Sequence, residues 1–155
     1  MILSFKQKMF SIADKYEVYD EEGKTAYKIQ GRISIPKRFD IYNAEGEKIA
    51  MLKAKFFDIM PQFRLFVDGQ EVGRVKKKFT FFTQKFKVDC NDWQIDGNIL
   101  GWNYSIVDAN NTLIASMEKK LWHMTDQYVL NIVDPKDALY ALMIVLAIDA
   151  EKAGH

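Results

Sequence analysis

Asp134-Pro135-Lys136-Asp137, followed by Ala138-Leu139-Tyr140-Ala141-Leu142-Met143-Ile144-Val145-Leu146-Ala147-Ile148, is the stretch on which the architecture turns. Asp134 suits a helix N-cap, Pro135 fits the first helical position with its missing N–H, and Asp137 falls near the positive end of the helix dipole. From Ala138 to Ile148 no residue is charged and only Tyr140 carries a hydroxyl, so this helix has no polar face to turn toward water. At about 1.5 Å per residue it covers ~16 Å, well short of the ~30 Å hydrocarbon core of a bilayer. The reading that remains is a helix surrounded by protein on every side.

Upstream, the sequence supplies the wall. Gly23, Gly46 and Gly69 recur every 23 residues, and each separates two short alternating runs. Tyr16-Glu17-Val18-Tyr19, Phe39-Asp40-Ile41-Tyr42 and Phe63-Arg64-Leu65-Phe66 precede the glycines; Ala26 to Ile29, Ile49 to Leu52 and Val72 to Val75 follow them. Alternation with period two around a turn rich in Asp, Asn, Glu and Gly reads as a β-hairpin. Two more hairpins are expected to turn at Asp96-Gly97 and at Asn110-Asn111. A strand from Tyr128 to Val133 leads into the helix, and another lies near Ile2 to Phe5. So many strands leave exposed edges unless the sheet closes on itself, which predicts a mainly β fold: a closed antiparallel β-barrel of about twelve strands enclosing the C-terminal hydrophobic helix. A helix packed in a sandwich is the competing arrangement.

The 155 residues fit one domain, 1–155. Lys and Arg (22) nearly balance Asp and Glu (21), so any attraction to nucleic acid or membrane must come from a local patch. Cys90 is the only cysteine, which excludes an intramolecular disulfide. The opening Met1 to Lys6 lacks the apolar core and cleavage site of a signal peptide, and the C-terminus has no prenylation box. These features lead to the expectation of a cytoplasmic protein with no transmembrane segment.

Several motifs then carry a resemblance. Lys6-Gln7-Lys8-Met9-Phe10-Ser11 with Asp14-Lys15 and Val18-Tyr19-Asp20 is similar to the opening of LURP-one-related proteins. Val75 to Phe82, Ile114-Ala115 through Lys119-Lys120, and the closing Asp126, Tyr128, Asp134, Asp137 and Ile144 to Ala150 continue the match to the end. The resemblance implies the fold of the tubby C-terminal domain and the phospholipid scramblases, a twelve-stranded barrel threaded by a hydrophobic helix. For function it implies less. Tubby-like domains are associated with phosphoinositides and scramblases with lipid movement, while this chain lacks the cysteine cluster that lipidates scramblases and any acidic calcium loop.

Candidate binding residues follow from the repeat. Arg32, Lys55 and Lys78 are 23 residues apart, and Lys120 aligns with them through Ile114-Ala115. Equivalent hairpin ends share a rim, so these four predict a basic crescent, reinforced by Lys76, Lys77 and Lys119 and accompanied by Phe79, Phe81 and Phe82. Lysines at strand ends equally discourage edge pairing. The interleaving of Lys with Phe from Lys76 to Lys87 also suits stacked bases, but the balanced charge argues against nucleic acid. Catalysis has little to work with: Cys90 sits beside Asp89, His123 is the only internal histidine, and no zinc or phosphate-loop spacing occurs, so neither a metal nor a cofactor is expected. The leading expectation is a non-enzymatic binding or regulatory domain for phosphoinositide-like anionic headgroups at a basic rim. The alternative is a structural or protein-interaction module with no small ligand; the sequence leaves oligomeric state open.

Overall fold

Period-two alternation governs the wall: along each strand one residue enters the core and the next faces out. The computed structural model describes residues 1–5, 15–55, 61–79, 84–122 and 124–153. Its strands are β1 (Ile2–Phe5), β2 (Lys15–Tyr19), β3 (Thr25–Arg32), β4 (Arg38–Asn43), β5 (Lys48–Ala54) and β6 (Gln62–Val67), then β7 (Gln70–Phe79), β8 (Gln84–Asp89), β9 (Gln94–Asn98), β10 (Asn103–Val107), β11 (Leu113–Trp122) and β12 (Thr125–Ile132). A 3₁₀ turn, Pro135–Asp137, leads into the helix α1 (Ala138–Ala153).

All neighbours are antiparallel, in the order β8-β7-β6-β5-β4-β3-β2-β1-β12-β11-β10-β9. A short turn, in which the Trp93 amide donates to the Cys90 carbonyl at 3.0 Å, joins β8 to β9. The two ends of the sheet therefore meet, and the twelve strands form a nearly closed barrel.

The turns are built as their residues require. Gly23, Gly46 and Gly69 take φ of +79°, +86° and +79°, which a side chain would resist. Asp20 Oδ1 accepts from the amides of Glu22 and Lys24, and Asn43 Oδ1 accepts from that of Glu47, all at 2.9 Å. One expected turn is displaced. Asp96 and Gly97 lie inside β9, and the chain reverses at Ile99 to Trp102 instead. Gly97 serves close approach: a Cβ there would stand 2.8 Å from the Asn103 carbonyl oxygen.

Ile29, Phe39, Ile41, Leu52, Phe63, Leu65 and Val75 point inward from β3 to β7, with Tyr104, Met117 and Tyr128 from the other half. They meet α1, which packs against β6 and β7 on one side and β11 and β12 on the other. Every residue from Ala141 to Ala150 is buried, so the helix has no wet face. Asp134 caps the turn that precedes it, its Oδ1 accepting from the Lys136 amide at 3.1 Å. Among the described residues no helix is long and apolar enough to cross a membrane.

Candidate anion-binding face

The residues left facing outward on β3 to β7 are largely basic, and the strand register lines them up. Arg32 lies opposite Arg38, Arg38 opposite Lys53, Lys53 opposite Arg64, and Arg64 opposite Arg74. Five cations thus form one uninterrupted row across five adjacent strands. Directly opposed like charges oppose sheet stability. A second row continues upward, where Gln62 lies opposite Lys76 and Lys76 opposite Lys87. Lys55 joins that level, its amide donating to the Gln62 carbonyl at 3.0 Å.

Two acids set just below the first row hold its ends. Asp40 is 1% exposed although it faces outward, because the side chains around it fold over it. Arg32 Nε donates to its Oδ2 at 2.8 Å, while Arg38 Nε and Lys48 Nζ lie 3.3 and 3.2 Å from Oδ1. Burial pushes the Asp40 carboxyl up, but the Arg32 and Lys48 contacts outweigh it and hold the group below the usual carboxylate range. At the other end Glu71 receives Arg74 at 2.7 Å and Arg64 at 3.1 Å, which lower its pKa. Arg64 also stacks over the Phe66 ring at 5.0 Å. Between these anchors Lys53 forms no ion pair among the described residues, and neither do Lys76, Lys78 and Lys87. The wall therefore keeps uncompensated positive charge at its centre.

The row runs into a depression of about 490 Å³ at its β3 end, lined by Lys15, Glu17, Lys28, Gln30, Arg32 and Tyr42 among others. Arg32 Nη2 donates to Tyr42 Oη at 2.7 Å, fixing the guanidinium on its rim. Lys15 and Lys28 carry no ion pair among the described residues.

Of the residues singled out from sequence, Arg32, Lys55, Lys76 and Lys78 share this wall. Lys120 stands four strands from β3, on β11, 3.1 Å from Glu118. Lys77 does not reinforce the patch. It shares the inward side of β7 with Val75 and is 1% exposed, so burial lowers its pKa while Glu151 pulls the other way. Lys119 is engaged by Asp126 at 3.0 Å. Phe79 ends β7, whereas Phe81, Phe82, His123 and the opening motif from Lys6 to Asp14 lie outside the described residues. Missed altogether were Arg38, Lys53, Arg64 and Arg74. The signal for three of the row was a spacing of 21 rather than 23: Arg32, Lys53 and Arg74. Barrel strands are staggered, and here each hairpin steps up by two residues, so residues equivalent along the chain are not level in space.

Cys90 is buried, and burial with the neighbouring Asp89 carboxylate pushes its thiol up to about 11. Among the described residues no group of three His, Cys, Asp or Glu side chains is placed to hold a metal ion.

Three comparisons bear on this arrangement. The model of the family described as LURP-one-related matches residues 1–149. An uncharacterized protein of Bacillus subtilis, YxjI, is 29% identical over 148 residues, spanning 95% of this chain and 91% of that one. The X-ray structure of a protein from Arabidopsis thaliana superposes with a TM-score of 0.60 at 13% identity, covering 94% of this chain and 89% of that one, a likeness of fold alone. With its barrel, its buried helix and a family match that runs almost from end to end, the chain belongs to the LURP-one-related family.

Proposed function

We propose that this chain is a non-enzymatic binding domain that holds a phosphorylated, anionic headgroup on the outer wall of β3 to β8. The observation that supports it is the row Arg32, Arg38, Lys53, Arg64 and Arg74, in which cations face cations on neighbouring strands. Among the described residues acids pair with Arg32 and Arg38 at one end of the row and with Arg64 and Arg74 at the other, leaving Lys53 between them, so a polyanion laid along the row relieves the repulsion that remains. The depression beside Arg32 offers a headgroup-sized recess with Lys15 and Lys28 on its walls. The high pKa of Cys90 leaves that thiol unsuited to nucleophilic chemistry at neutral pH.

The test separates binding from folding. Lys53→Glu places an acid directly between Arg38 and Arg64. It should stabilise the sheet by about 0.5 kcal/mol through opposite-charge pairing. The same change should weaken binding of a soluble inositol polyphosphate about tenfold or more in low-salt calorimetry. Undiminished affinity in this variant, or no binding by the wild type, would leave the alternative of a structural or protein-interaction module.

A further inference from the structure

Among the described residues, the rim above the wall differs from the opposite rim in charge and in how its apolar side chains are flanked. Antiparallel neighbours alternate in direction, so β3, β5, β7, β9 and β11 all run toward the same end of the barrel. At that end the β3–β4 loop exposes Ile33 and Ile35 at 85% each. The end of β11 exposes Leu121 at 72%, opposite Asp126 on β12, the turn that follows exposes Met124 at 90%, and the β9–β10 turn exposes Leu100 at 59%. Arg32, Lys37 and Arg38 flank the first of these tips, while near the second Lys119 and Lys120 are paired with Asp126 and Glu118. At the far end the turns are acidic on balance, with Asp20, Glu21, Glu22, Glu45, Glu47 and Asp108 against Lys24 and Lys48. Exposed Met1, Ile2, Leu113 and Val133 sit there too, but beside acids: Glu21 lies 3.7 Å from the Met1 ammonium and accepts from the Ile2 amide, Asp108 accepts from the amide of Thr112 next to Leu113, and Asp134 follows Val133.

Large aliphatic side chains gathered at one end of the barrel, with cations around the β3–β4 tip, match the layered chemistry of an anionic bilayer. Apolar groups settle at the boundary of headgroups and acyl chains while Lys and Arg meet the phosphates. The acidic far end is repelled by the same surface, which leaves one orientation. We infer that the rim carrying Ile33, Ile35, Leu121 and Met124 docks this protein onto an anionic membrane, with these side chains inserted and the wall below it engaging headgroups. This rests on the anionic reading of the wall and names its source as a lipid surface.

Cys90 makes the experiment direct, because a buried thiol of raised pKa leaves an introduced cysteine as the reactive one. An environment-sensitive fluorophore is attached at Ile35→Cys, with Lys24→Cys at the opposite rim as control. Vesicles of phosphatidylcholine with a phosphatidylinositol bisphosphate should shift the first label to the blue and allow its quenching by brominated acyl chains; pure phosphatidylcholine should do neither, and the control should not respond. The double variant Ile33→Ser with Ile35→Ser, both on exposed positions, should lose about tenfold in vesicle affinity and nothing in affinity for the soluble inositol polyphosphate. Vesicle binding without a shift at position 35 overturns the insertion and spares the wall. Binding of the soluble headgroup without any vesicle binding overturns the membrane as partner and likewise spares the wall. Failure of both ligands overturns the two readings together.

Discussion

Ile144→Asp and Leu146→Asp are each expected to abolish soluble expression or to leave the protein largely unfolded. At about 100° per residue the two side chains point roughly 200° apart, so they sample nearly opposite faces of α1. Both are buried, at 0% and 2% exposure. A helix on the outside of a sheet would turn one of these positions to water, and that aspartate would cost little. Here either carboxylate must be buried ionised, be held protonated or force the wall apart, at a cost of several kcal/mol. Domains are stable by only about 5–15 kcal/mol, so one such change removes most of the margin. Soluble yield and denaturant midpoints of the two variants, measured separately, check this. One well-tolerated aspartate would mean that α1 has a wet face.

That expectation was legible in the sequence because Ala138 to Ile148 offers no polar face, a pattern that few environments satisfy. The hairpins at Gly23, Gly46 and Gly69 were legible for a similar reason, since a positive φ has a residue preference that local sequence displays. Gly97 shows the limit. Glycine for a turn and glycine for close strand approach look alike until the partner, here Asn103 and Tyr104, is in place. The cationic wall was half legible. The 23-residue repeat singled out Arg32, Lys55 and Lys78, with Lys76 beside them, but which cations stand level depends on barrel stagger, a property of the closed sheet and of no single hairpin. Lys77, expected to reinforce the basic residues, has the parity of Val75 and points inward. Asp40 was the least legible, for its burial comes from Arg32, Arg38 and Lys48 closing over it and not from the core.

Asp40 is therefore the position where stability and binding should move apart most. Asp40→Asn keeps the shape and removes the charge that three cations share. Charge-assisted contacts of this kind are worth about 2 kcal/mol where the acceptor is buried, and the loss should appear as a lower denaturant midpoint near pH 7. The folded pKa of Asp40 is lowered, so its contribution is fully present above the unfolded carboxylate value of about 3.9 and is lost as pH falls through the lower folded value. The midpoint difference between wild type and Asp40→Asn should accordingly hold steady from neutral pH down to the usual carboxylate range and close below it. A difference that persists unchanged in strong acid would mean that packing, and not charge, makes Asp40 matter. Binding should respond with the other sign. Without Asp40 the cations Arg32, Arg38 and Lys48 lose their shared acid, so a soluble inositol polyphosphate should bind more tightly at low salt and lose that gain as salt rises. Lys53→Glu is expected to do the reverse, gaining stability while losing the ligand. A wall of opposed cations that served only to keep the surface soluble would show the stability changes of both variants and neither of the binding changes.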